Sequence, residues 1–92
     1  MDIDYEHLEA NVADGTLRLS LESELRDGFR QMHEAGEPLP PASWYATKIA
    51  EIIDRGADRE VPSELKWVIY QEVLTACEDA RRAVLGDPPP LH

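Results

Sequence analysis

Few residues in this chain combine the type and spacing that chemistry requires. His33-Glu34-Ala35-Gly36-Glu37 approaches the His-Glu-x-x-His zinc pattern, which needs two histidines one turn apart on one helix face. Its second ligand position holds Glu37, past a helix-ending glycine and next to Pro38, and no residue stands as a third ligand. His33 therefore reads as a surface histidine near a helix end, with His7 and His92 far from it in sequence. A calcium loop fails in the same way. Asp2-x-Asp4-x-Glu6 is followed by His7 where the turn glycine belongs, and Ala13 occupies the bidentate position. Cys77 is the sole cysteine, which rules out an internal disulfide and a multi-cysteine zinc site. It falls on an apolar helical arc, where a thiol behaves as a small buried apolar group. Ser20, Ser23, Ser43 and Ser63 lie at helix starts or on helix faces with no general base beside them, and Ser63, after Val61-Pro62, predicts an N-cap. These residues predict no catalytic group, no metal ligand and no cofactor, and a protein that is not an enzyme.

Two acidic pairs, Glu24 with Asp27 and Glu51 with Asp54, each place carboxylates one helical turn apart. In that spacing the chain is similar to the all-helical nucleotide pyrophosphatases of the MazG-like kind, and the resemblance implies magnesium-dependent nucleotide hydrolysis. The family's Glu-Glu-x-x-Glu element is missing, and the helical wheel sets Glu51 and Asp54 on an outer face, where solvated charges are the ordinary reading. Size and acidity also resemble acyl carrier proteins, which bear a prosthetic arm on the serine of Gly-x-Asp-Ser-Leu. Here Gly56-Ala57-Asp58 runs into Arg59-Glu60, so the attachment point is missing.

The elements that would position any site are all helical. Gly15, Gly36, Gly56 and Gly86 divide the chain, and the prolines cluster at Pro38-Leu39-Pro40-Pro41, at Pro62 and at Pro88-Pro89-Pro90. Glycine after a helix and proline in its first turn are the expected punctuation of an all-α protein. The pattern predicts a small four-helix bundle-like domain over residues 1–86: a short N-terminal helix capped by Asp4, then longer helices at about 16–35, 42–55 and 62–85. Residues 87–92 read as a disordered Pro-rich tail. Leu17, Leu19 and Leu21 alternate as a strand would, but Leu17, Leu21, Leu25, Phe29 and Met32 form a helical stripe over four turns, and length decides for the helix. Gly28 inside that helix either admits a neighbouring helix or is a tolerated defect. In the next helix Tyr45, Ile49, Ile52, Ile53 and Gly56 make the inward stripe, and Trp44 projects into the charged face.

The last helix is apolar over roughly 200° of its wheel, well beyond the stripe of somewhat more than 100° that a surface helix needs. One edge holds Leu65, Ile69, Val73, Ala76, Ala80 and Ala83; the other holds Trp67, Tyr70, Leu74 and Leu85. Such a helix is either central to the bundle or has a face that another chain covers. Trp67 and Tyr70 are accordingly either core or contact residues. Trp44 either packs over Lys48 and the N-terminal segment or serves as a binding residue, since Trp and Tyr are favoured at binding hot spots.

Charge completes the reading. The 92 residues carry a net charge of −10, and residues 1–14 alone contribute −5 through Asp2, Asp4, Glu6, Glu9 and Asp14. From residue 15 onward acids and bases nearly balance, with Arg18, Arg26, Arg30, Arg81 and Arg82 interleaved among carboxylates, a poor surface for gripping phosphates. The acidic start lacks the basic region of a signal peptide and no apolar run approaches a membrane span, which points to a cytoplasmic protein. The expectation is a small acidic protein-binding module or inhibitor. Its acidic surface could imitate a nucleic acid and occupy a basic site, as some proteins of phages and mobile elements do against restriction or CRISPR machinery. The alternative is a homodimer or regulatory subunit joined through Trp67, Tyr70 and Leu74.

Overall fold

Asp4 starts the first helix by geometry as well as charge. Its Oδ1 accepts the Glu6 amide at 2.9 Å, satisfying one of the amide donors that a helix start leaves open. The computed structural model describes residues 3–86; residues 1–2 and 87–92, with Asp2 and the Pro-rich tail, lie outside the described residues. Four helices follow in order: α1 (Tyr5–Ala13), α2 (Thr16–Glu34), α3 (Ala42–Gly56) and α4 (Ser63–Leu85). The chain is all-α and bundle-like.

Short connections define the helix ends. Gly15 takes a φ of 81°, and Asp14 Oδ1 accepts the Thr16 amide at 2.9 Å, so one two-residue turn closes α1 and opens α2. At the far end of α2, Gly36 has a φ of 78°. The Glu37 amide donates to Met32 O at 2.9 Å and the Gly36 amide to His33 O at 3.1 Å, the paired bonds of a Schellman ending. α4 begins differently from expectation. Pro62 holds the N-cap position, and Ser63 is the first helical residue with no capping bond from its side chain. Pro62 has an extended ψ of 150° and takes the N-cap place itself, so the helix starts one residue earlier than Ser63 capping would require.

α4 packs against all three other helices, whereas α2 and α3 run along α4 without running along each other. Ile69, Val73 and Cys77 on α4 are fully buried, with Leu8 and Val12 of α1, Ala46 and Ile53 of α3, and Val61 around them. Burying each large aliphatic side chain stabilises the fold by roughly 1.5–3 kcal/mol. The α2 stripe behaves as a helix stripe: Phe29 is buried, Leu17, Leu21, Leu25 and Met32 are half-buried, and Leu19 points to water. α2 and α3 meet through side chains, with the Phe29 and Tyr45 rings 5.0 Å apart and Tyr45 Oη donating to Met32 Sδ at 3.4 Å. Arg18 of α2 lies 3.4 Å from Glu72 of α4, an ion pair at the rim of the core.

One expected core residue is not in the core. Ile52 is 66% exposed, although the wheel of α3 set it inward. The buried line of α3 runs instead through Ala46, Ala50 and Ile53, because small side chains let that face approach α4 closely. The inward direction is thereby rotated away from Ile52. The same rotation half-buries Asp54, which the sequence placed on the outer face.

A second tie joins the N-terminal segment to the connection between α3 and α4. Ile3 forms an isolated parallel bridge with Ala57: Ile3 donates to Gly56 O, and the Asp58 amide donates to Ile3 O at 2.8 Å. Asp58 Oδ1 accepts the Tyr5 amide at 3.1 Å, and the Arg59 guanidinium sits 4.1 Å above the Tyr5 ring. The acidic N-terminal segment is thus stitched to the α3–α4 connection. No pattern in the sequence signals this bridge, since it rests on backbone groups that any residue carries.

Candidate protein-contact surface

α4 supplies the surface most in need of explanation. At about 100° per residue, Trp67, Leu74 and Leu85 fall within about 20° of one another on its wheel. Trp67 is 63% exposed, and Leu85 and Val68 are exposed as well. The Trp67 ring stacks on Tyr70, with centroids 6.1 Å apart and planes 22° apart. Tyr70 and Leu74 are half-buried and pack against the core cluster. The core therefore holds the inner half of this edge rigid while its outer half faces water. Leaving most of an indole in water forgoes on the order of 2–3 kcal/mol of burial. α4 is the central helix of the fold, and one edge of it is exposed to water.

Trp44 differs in kind. It is 51% exposed on α3, but its own helix accounts for it: Tyr45 meets it edge-to-face at 5.1 Å, and Lys48 Nζ lies 5.8 Å from its ring. A cation over an indole face at an exposed site contributes about 0.5–1 kcal/mol.

The acidic end is equally specific in what it does. Asp4, Glu6, Glu9 and Asp14 are all exposed. Asp4 and Asp14 serve as caps, and hydrogen bonds from Thr16 hold the Asp14 carboxyl below its usual range. Asp4 Oδ2 also lies 3.4 Å from His7 Nδ1. Desolvation, and after it the Glu9 carboxylate, push the Tyr5 phenol above its usual range. Half of these four carboxylates therefore have local structural work, and Arg59 brings a cation to the same end.

The remaining chemistry candidates stay apart. Glu24 and Asp27 are exposed on α2, Glu51 is exposed on α3, and Asp54 Oδ1 is shut from solvent without a hydrogen-bond partner. Among the described residues, no three His, Cys, Asp or Glu side chains are grouped as a metal site would require. Burial pushes the Cys77 thiol up to about 11, the state of an inert core group. Among the described residues no helix is long and apolar enough to cross a membrane. Comparison with known protein families, with curated proteins and with solved structures gives no match.

Sequence reasoning underrated two residues here. Val68 belongs to neither edge named from the sequence, and it is exposed. Arg81 counts in the sequence only as one of the charges interleaved among carboxylates, yet it is half-buried with Nε out of water and without an acceptor. Neither exposure nor an orphaned donor follows from helical spacing alone.

Proposed function

We propose that this protein is a non-enzymatic protein-binding module whose contact surface is the Trp67–Tyr70–Leu74 edge of α4. One observation carries the reading: an indole that is 63% exposed, stacked on a half-buried tyrosine and fixed on the central helix of the fold. A rigid aromatic pair offers large apolar area at little cost in side-chain entropy, which is what binding hot spots use. The test is position-specific photo-crosslinking in cells, with a photoreactive amino acid in place of Trp67, of Glu9 or of the exposed Thr47. Crosslinks at position 67 that exceed those at 47 are expected. Equal yields at both positions would remove the reading.

The net charge of −10 and the exposed Glu6 and Glu9 favour a second reading, a nucleic-acid mimic seated in a basic channel. That reading requires crosslinks concentrated at position 9, and binding that weakens steeply with salt and on neutralising Glu6 and Glu9.

A further inference from the structure

We propose that α1 is a detachable strap: hinged at Gly15 and latched at Asp58 and Arg59, it lifts from the fold as a unit and uncovers part of the apolar core. By itself α1 is a poor helix. It has nine residues, below the roughly 12–15 at which isolated helices become even marginal in water. Its last turn holds no basic residue, and Asp14 stands at its C-cap, a carboxylate at the negative end of the helix dipole. Asp4, Glu6, Glu9 and Asp14 crowd negative charge along it, and residues 1–17 contain no Lys or Arg to offset them. α1 is therefore held helical by what it packs against.

That hold is concentrated at two ends and two side chains. At one end Gly15, with its φ of 81°, forms the short turn into α2, the kind of position that absorbs a change of chain direction. At the other end Ile3 pairs with Ala57, Asp58 Oδ1 accepts the Tyr5 amide at 3.1 Å, and Arg59 brings the cation that α1 lacks to 4.1 Å from the Tyr5 ring. The Asp58 bond is exposed, so exchanging it for water costs little. Between these ends Leu8 and Val12 are the buried residues of α1, whereas α4 buries Ile69, Val73, Ala76, Cys77 and Ala80. Leu8 and Val12 share one apolar cluster with Ile53, Val61 and Ile69. Lifting α1 leaves α4 packed against α2 and α3 and turns part of that cluster to water. Ile69 lies about 160° from Trp67 on the α4 wheel, so this conditional surface is distinct from the permanently exposed edge.

Native-state hydrogen exchange of the full chain, read residue by residue by NMR without urea and in low urea, tests the strap. The amides of α1 from Leu8 to Asp14 are expected to share one opening. That opening should occur roughly a hundredfold more often than the opening that exposes the α4 amides around Ile69 and Val73. It should also depend more weakly on urea, because it exposes less surface. Asp58→Ala removes the acceptor of the Tyr5 amide and should raise the α1 opening about tenfold with unchanged helical circular dichroism. Asp58→Asn keeps an Oδ1 acceptor and should raise it less. A single opening with one urea slope for α1 and α4 overturns the inference, because α1 then leaves only when the whole fold unfolds. Openings graded along α1 overturn it as well, since they describe fraying from an end. An α1 opening indifferent to Asp58→Ala overturns the latch.

Discussion

Gly28 and Gly15 turn the same chemical change into opposite effects. Gly28 lies inside α2, and a Cβ built on it meets nothing within 4 Å. The close approach of a neighbouring helix is therefore not its reason, and Gly28→Ala should recover the helix propensity that glycine forfeits, about 1 kcal/mol. For a domain of this length that raises the melting temperature by roughly 4–8 °C. At Gly15 a Cβ meets only the Arg18 guanidinium at 3.8 Å, so space is no obstacle there either. Its φ of 81° is the obstacle, because an L side chain in the left-handed region costs about 1–2 kcal/mol. Gly15→Ala should lower stability by about that amount. Urea denaturation followed by circular dichroism measures both, with an unchanged m value marking a pure stability effect. A destabilised Gly28→Ala variant would refute the open flank of α2, and a stabilised Gly15→Ala variant would refute the turn.

Three residues carry further outcomes that follow from burial and hydrogen bonding. Ile69 is fully buried at the centre of the core, so Ile69→Ala should cost about 2–5 kcal/mol, measured as a fall in the urea midpoint; a loss under 1 kcal/mol would contradict its placement. Cys77, with its thiol raised to about 11 by burial, should react with a disulfide reagent at neutral pH only as fast as the chain opens. Because the native state keeps a proton that the unfolded thiol releases near the ordinary thiol value of 9.0, stability should also fall as pH rises from there towards 11. Asp14 has the opposite sign. Its lowered pKa contributes stability that is present above the ordinary carboxyl value and lost as pH falls through the folded one, and Asp14→Asn should flatten that part of the acid unfolding profile.

Helix number, order and nearly all boundaries were legible in the sequence because glycine and proline act locally. Gly15, Gly36 and Gly86 all adopt positive φ at helix ends, and the Asp4 cap needs nothing beyond its own first turn. What spacing leaves open is rotation. The wheel of α3 has two plausible inward directions, one through the large Ile52 and one through the small Ala46 and Ala50. Choosing between them requires knowing how closely α4 approaches. The wide arc of α4 posed the same difficulty, since periodicity cannot say how much of it three neighbours will cover. The candidate surface was therefore legible as a set of residues, Trp67, Tyr70, Leu74 and Leu85, but not as an exposed one. The acidic segment was visible as charge, while its ties to Ala57, Asp58 and Arg59 depend on long-range pairing that no local rule carries.

The central claim is that Trp67 is a surface residue waiting for a protein. It is tested most directly by the fluorescence of Trp67 alone, in a Trp44→Phe variant, with acrylamide as quencher. In dilute solution the account predicts red-shifted emission and efficient quenching. Blue-shifted, quencher-resistant emission from the dilute chain would make Trp67 a core residue and contradict the account.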